Sequence, residues 1–196
     1  MGAVLVLAGG EGRRLGGPKA TLDWGGRPLL LHVLDRLAPL AERVVVAARP
    51  GQDLPPGGYE RVDDALADAG PLAGLAAGLA AIAPLEPAAL VAVAACDYPY
   101  ADPRLFLALA ALAAATDDVV LPRHGGHAHP LQALWRARAG AACSAALDRG
   151  QRRIRSALES LSVRAVEAAE LPGIDPDRAL LNLNDPGDLD RARPVS

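Results

Sequence analysis

Short apolar runs alternate along this chain with longer stretches whose apolar residues recur every three or four positions. Ala3–Ala8, Val44–Ala48, Leu90–Ala95 and Val119–Leu121 are unbroken runs of Val, Leu and Ala, with one Cys following the third. Runs of that length predict strands buried on both faces. Between them, Pro28–Leu37 puts Leu30, Val33, Leu34 and Leu37 on one face, and Pro71–Ile82 aligns Leu72, Leu75, Leu79 and Ile82. Both predict helices, each opening on a proline, which suits a first turn. Pro103–Ala115 predicts a third, largely apolar helix. Strand–helix–strand alternation requires crossover connections. The expected fold is therefore α/β: a three-layer, Rossmann-like arrangement with a mostly parallel sheet and helices on both faces.

After residue 120 the pattern loosens. The stretch from Arg123 to His129 carries Gly125-Gly126 and predicts an exposed turn or hairpin. Pro130–Trp135 predicts a strand of either direction. Ala137–Leu161 predicts helix with a break near Gly150, Val163–Ala168 a strand, Leu180–Leu183 a last short strand, and Pro186–Ala192 a last helix capped by Asp185. Asp102 is the expected cap of the helix at Pro103. No repeat and no dividing linker is visible, so residues 1–196 are expected to form a single domain.

Composition narrows the picture. Hydrophobic residues make up 51% of the chain but aromatics only 3%, so the core must be built from Leu, Val and Ala. The net charge of −3 lacks the broad basic surplus of a nucleic-acid binder, although Arg13–Arg14 and Arg152–Arg153 can meet a small anion. Cys96 and Cys143 supply neither a disulfide framework nor a metal set, and Cys96 inside its apolar run is expected to be buried. The run Leu105–Ala115 falls short of the roughly 20 residues of a membrane span. The apolar start "VLVLA" is too short for a secretion signal, and no basic residue precedes it. A cytoplasmic protein with no membrane and no nucleic-acid partner is the expectation.

The chemistry concentrates in Leu7–Gly26, with seven glycines, Arg13, Arg14 and Lys19. It begins where the first strand ends, and in such sheets ligands bind at the carboxyl ends of strands. Glycines let backbone N–H groups approach an anion closely, and the cations add charge, so a polyphosphate is the natural guest. The order Gly17-Pro18-Lys19-Ala20 is not a P-loop, and Leu15 stands where a dinucleotide fingerprint needs its third glycine. A solvated glycine-rich turn is the competing account. His124, His127 and His129 lack neighbouring carboxylates or cysteines in the sequence and are not read as a zinc site.

The run from Leu7 to Ala20, LAGGEGRRLGGPKA, resembles the opening signature of the nucleotidyltransferases, and most closely that of the molybdenum cofactor guanylyltransferase family. Further segments match in order: Asp64–Asp68, Gly70-Pro71-Leu72-Ala73-Gly74, Cys96-Asp97-Tyr98-Pro99, His129-Pro130 and Asn182-Leu183-Asn184-Asp185-Pro186. The likeness spans nearly the whole chain. The family commonly has Ser at Gly12, Met at Leu15 and Asp at Pro18, and often an Asn after the second strand, where this chain reads Ala47-Ala48-Arg49. These departures leave the expectation of phosphate binding in place and bear on the identity of the base.

The resemblance implies transfer of GMP from GTP to the phosphate of molybdopterin, with pyrophosphate leaving. GTP and molybdopterin (the molybdenum cofactor) are then substrates, and a molybdenum-insertion or cofactor-delivery protein is an implied partner. Lys19, Arg13 and Asp97 are the expected catalytic residues. Lys19 and Arg13 would neutralise the triphosphate, and Asp97, at the end of an apolar strand, would hold Mg2+. Nucleotide contacts fall to Leu7, Ala8, Gly9, Gly10, Gly12, Lys19, Asp64, Gly70, Pro71 and Asp97, and acceptor contacts to His129, Asn182 and Asn184. The amino-terminal half would then hold the nucleotide and the carboxyl-terminal half the acceptor. Two readings stay beside it: a related transferase using CTP or a sugar-phosphate acceptor, and a non-catalytic nucleotide-binding regulatory module. Asp64 also reads as a solvated acid, and the two asparagines as part of a helix start.

Overall fold

A computed structural model describes residues 1–10, 12–64, 66, 70–84 and 87–192; the side chains of Arg13 and Asp190 are likewise outside the described set. Glu11 and Asp68 of the nucleotidyltransferase-like segments therefore lie outside it.

The strands are β1 (Ala3–Leu7), β2 (Val44–Ala48), β3 (Glu60–Asp63), β4 (Leu90–Ala95), β5 (Val119–His124), β6 (His127–Ala128), β7 (Gln132–Arg136) and β8 (Val163–Glu167). They form one sheet in the order β3-β2-β1-β4-β7-β5-β6, with β8 on the free side of β5. Pairings among β1, β2, β3 and β4, and between β5 and β8, are parallel, whereas β7 runs antiparallel to both β4 and β5. The undirected strand expected at Pro130–Trp135 is thus reversed, as is the two-residue β6 beside β5, in a sheet whose other pairings are parallel.

The helices are α1 (Leu29–Leu37), α2 (Pro71–Ile82), α3 (Pro103–Leu112), α4 (Gly140–Asp148), α5 (Ile154–Leu158), α6 (Pro176–Ala179) and α7 (Pro186–Ala192). Val4 and Val6 of β1 join the core under α1 and α3, while Ala3, Leu5 and Leu7 join the core under α2, α4 and α5. Period-two alternation over two apolar layers is why the strand reads as a continuous apolar run. The close fit of α2 to β1 depends on Gly78, where an added Cβ would fall 2.4 Å from Leu5 Cδ1.

Several boundaries and one element differ from the sequence expectation. β3 was not expected. It is an edge strand with three of four residues exposed, so it carries no apolar run. Leu180–Leu183 is not a strand. Leu180 and Leu183 are apolar because they pack into the core, and Leu183 N–H donates to the Asp97 carbonyl at 2.9 Å. α3 stops at Leu112, where Ala113 turns extended and the following turn is closed by Asp117 accepting from Ala114 N–H at 2.8 Å. The expected helix Ala137–Leu161 is a 3-10 turn followed by α4 and α5, broken at Gly150, which sits at φ 76. Both expected caps form: Asp102 accepts from Arg104 N–H at 2.9 Å and Asp185 from Asp188 N–H at 3.0 Å.

Candidate active site at the carboxyl edge of the sheet

The loop after β1 folds into two 3-10 turns, Arg13–Leu15 and Lys19–Thr21. Gly12 joins them. Its φ of 57 is left-handed, and a Cβ there would lie 1.9 Å from the Gly17 carbonyl oxygen. That contact excludes a side chain, including the Ser common at this position. Leu15 and Gly17 N–H groups both donate to the Gly12 carbonyl, and Lys19 N–H to that of Gly10, so the loop doubles back on itself. This return delivers Lys19 to the sheet edge, its stem lying against Gly10.

Asp97 follows β4, the neighbour of β1 in the sheet. Lys19 Nζ donates to Asp97 Oδ2 at 2.6 Å, and the two side chains are only 13% and 15% exposed. Asp97 Oδ1 is buried and has no protein partner among the described residues. A carboxylate oxygen out of water without a donor or cation is costly, so the atom calls for one.

Lys19 and Asp97 line one wall of a cavity of about 420 Å3. Gly9, Gly10 and the side chain of Leu7 continue that wall, while Ala8 is fully buried behind it. Gly70 and Pro71, at the start of α2, line the cavity as well. The N-terminus of this 12-residue helix adds the positive end of its dipole. Arg49, just past β2, and Asp64, just past β3, also line the cavity, beside Gly9. Asp64 is 6% exposed, with Oδ1 buried and without a partner among the described residues. Burial pushes its carboxyl up, the Arg49 charge opposes this, and Asp63 reinforces it. Cys96 also lines the cavity, but burial and the Asp97 charge hold its thiol well above the usual range, so it is no nucleophile at neutral pH.

The acceptor candidates lie along the same edge. Between β6 and β7, residues 129–131 bulge outward: His129 N–H donates to Pro122 O at 3.0 Å, and Leu131 O accepts from Ala95 N–H at 3.0 Å. Leu131 reaches the cavity; His129 does not line it. Burial lowers the His129 pKa, and His124 and His127 lower it further. His124 itself pairs with Asp177 at 2.7 Å. Asn182 and Asn184 flank Leu183 and are not equivalent. Asn182 lies beside Tyr98, and its Oδ1 is buried without a partner among the described residues. Asn184 is exposed, and its backbone N–H donates to Asp188 Oδ2 at 2.7 Å. That contact belongs to the start of α7, as the helix-start reading has it. The side chain of Arg13 lies outside the described residues. Arg49 and Leu131 were not among the expected site residues. Arg49 had a signal, a cation directly after a buried strand at the ligand edge.

Among the described residues, no three or more His, Cys, Asp or Glu side chains gather around a metal position. Mg2+ does not need that many, since it takes one or two carboxylates together with phosphate oxygens and waters. Asp97, with a buried spare oxygen beside a phosphate-sized cavity, fits this mode of binding. Among the described residues no helix is long and apolar enough to cross a membrane.

A glycine-rich loop after β1, a lysine returned from it onto an acid after β4, and a helix start lining the same cavity make a candidate phosphate site on an α/β nucleotidyltransferase-like fold. The family model for the MobA-like NTP transferase domain matches residues 4–165. The molybdenum cofactor guanylyltransferase of Pseudomonas putida KT2440 is 36% identical over 94% of this chain and 93% of its own. That of Cereibacter sphaeroides is 36% identical over 96% and 93%. Among solved structures, molybdopterin-guanine dinucleotide biosynthesis protein A from Archaeoglobus fulgidus superposes with a TM-score of 0.80 at 27% identity, covering 97% of this chain and 96% of that one. The chain belongs to the MobA-like NTP transferases, in the molybdenum cofactor guanylyltransferase family.

Proposed function

We propose that the chain transfers GMP from GTP to the terminal phosphate of molybdopterin. An oxygen of that phosphate forms a bond to the α-phosphorus of GTP. The bond from the α-phosphorus to the bridging oxygen breaks, and pyrophosphate leaves with the electron pair. The attacking phosphate is already anionic, so the protein needs no nucleophile of its own, which accords with the protonated state of Cys96. What remains is positioning and stabilisation of charge.

The observation that carries this reading is the contact of Lys19 with Asp97 at 2.6 Å in the cavity wall. In the proposed complex Lys19 donates to the oxygens of the α-phosphoryl group as their charge rises. The backbone of Gly9, Gly10 and Gly12 and the start of α2 hold the rest of the triphosphate. Arg13 adds charge from the same loop. Asp97 would hold Mg2+ through the oxygen that has no protein donor, and the ion would supply Lewis-acid neutralisation of phosphate charge. The acceptor enters from the carboxyl-terminal half, past the bulge at His129 and the amide of Asn182. Asn184 contributes from the same segment.

The test is pyrophosphate release with each of the four ribonucleoside triphosphates, Mg2+ and molybdopterin. Turnover is expected with GTP, together with the guanine dinucleotide form of the cofactor as product. Release with CTP in preference to GTP, or tight nucleotide binding without turnover, would overturn the assignment.

A further inference from the structure

Four of the chain's 20 lysines and arginines fall within seven residues, Arg149-Gly150-Gln151-Arg152-Arg153-Ile154-Arg155, and no acid stands among them. The transfer described above uses none of the four. The segment is the bend between α4 and α5, and its backbone is fixed. Gly150 N–H donates to the Leu147 carbonyl at 2.8 Å, Gln151 N–H to that of Ala146 at 3.0 Å, and Ser156 N–H to that of Arg153 at 3.0 Å. Ile154 and Ala157 anchor it in the core that also holds Leu72 and Leu75 of α2.

The four arginine side chains are not tied down in the same way. All four residues are exposed. Arg149 reaches only the Gln151 side chain, at 3.5 Å, and Arg152, Arg153 and Arg155 make no side-chain hydrogen bond or ion pair among the described residues. Elsewhere in the chain Arg43, Arg61, Arg104 and Arg138 each hold an acid at 2.7–2.9 Å. The charge of the bend is thus uncompensated.

The bend lies against the cavity. A Cβ on Gly70, which lines the cavity at the start of α2, would fall 3.5 Å from the Arg152 carbonyl oxygen. The cavity does not draw an anion by its own net charge. Among the described residues its charged side chains are Lys19, Arg49, Asp64 and Asp97, two cations against two acids. The chain as a whole, at −3, repels a triphosphate. Four uncompensated guanidinium groups beside the cavity reverse that sign locally. A field of one sign over a low-dielectric cleft raises association rates by about 10–10³-fold. Long exposed side chains without partners hold no single geometry, so they contribute a field and not a fitted contact.

We infer that Arg149, Arg152, Arg153 and Arg155 form a basic lip that steers a nucleoside triphosphate into the cavity, speeding its arrival without holding it once bound. This rests on the nucleotide-binding part of the reading above and adds how the substrate is collected.

The experiment follows binding of a fluorescently labelled GTP with Mg2+ by stopped flow, giving association and dissociation rates separately. The proteins are the wild type, a chain with both Arg152→Glu and Arg153→Glu, a chain with both Arg152→Lys and Arg153→Lys, and Arg164→Glu. At about 0.01 M ionic strength, where the screening length is about 30 Å, the glutamate pair should bind about 10-fold more slowly than the wild type and dissociate at the same rate. At about 1 M, where that length is about 3 Å, the two should converge. The lysine pair keeps the charge without the arginine fork and should match the wild type. Arg164→Glu, on β8 at the other side of the sheet, lowers the net charge away from the cavity and should leave association nearly unchanged. If the glutamate pair binds as fast as the wild type at low salt, if only dissociation changes, if the lysine pair behaves as the glutamate pair, or if Arg164→Glu slows association as much, the inference fails and the guanylyltransferase reading stands. If the wild type binds no labelled GTP and transfers no GMP, that reading fails first.

Discussion

Lys19 Nζ and Asp97 Oδ2 lie 2.6 Å apart although 78 residues separate them in the chain. The sequence presents them as two independent groups, a cation for phosphate and an acid for Mg2+. In the structure they are each other's partner, and under the proposed function an incoming triphosphate with its cation would divide them. The pair keeps both charges compensated in a wall that is mostly out of water.

Lys19→Ala and Asp97→Asn should each lower kcat for pyrophosphate release by at least about 100-fold, the scale for losing one transition-state stabiliser. Because the two act as a unit, the double variant should lose little more than the worse single variant. Rate losses that multiply in the double variant would show the two to be working independently.

Gly12→Ala places a methyl group on the Gly17 carbonyl in a left-handed backbone. The loop must then open, with loss of GTP binding by calorimetry and a fall in kcat/KM of about 100-fold or more, since misplacement of a positioning element by about 1 Å costs that much. Gly17→Ala is the control: nothing lies within 4 Å of its added Cβ, and binding should change little.

Gly78→Ala tests the packing of α2 on β1. Its Cβ would collide with Leu5 in a fully buried core, and overpacking of this kind costs about 1–3 kcal/mol. Thermal unfolding should show a lower Tm. An unchanged Tm would mean that Leu5 can move aside freely.

Asp64→Asn should stabilise the fold at neutral pH while weakening catalysis. Burial raises the folded carboxyl pKa. Below about pH 4 the folded and unfolded chains both hold the proton, and there is no penalty. As pH rises, the unfolded chain releases it first, and the fold loses stability until the folded carboxyl ionises as well. The Tm gain of the variant should therefore be near zero at pH 3 and positive at pH 7. An equal gain at both values would point to packing instead of charge.

Asn182→Ala should raise the KM for molybdopterin by about 10-fold, the loss of one good hydrogen bond, with GTP binding unchanged. Asn184→Ala should change that KM less, because its side chain is exposed and its structural contact is made by the backbone. A larger effect at Asn184 than at Asn182 would reverse their assignment.

The buried strands and α1 and α2 were legible because their residues have only the core to satisfy. β3 was not, since an edge strand of Glu60, Arg61, Val62 and Asp63 shows water most of its surface and leaves no apolar signature. Leu180–Leu183 misled for the opposite reason: core burial by an irregular segment looks like a strand in a one-dimensional pattern. Of the candidate site, Lys19, Asp97, Asp64 and Gly70 could be placed at the ligand edge from strand ends and resemblance. The Lys19–Asp97 contact and the bulge at residues 129–131 could not, because each depends on a register between distant segments. Arg49 was visible only as a departure; its position against Asp64 required β3 to be known.

The hydrogen bond from Leu183 N–H to the Asp97 carbonyl has a consequence for biosynthesis. A chain emerging from the ribosome has made Lys19 and Asp97 long before residue 183 appears. Until then the backbone of the acid lacks one of its braces. Activity should therefore switch on late in translation, and a truncation just before residue 180 should yield a product that retains both key side chains yet turns over poorly.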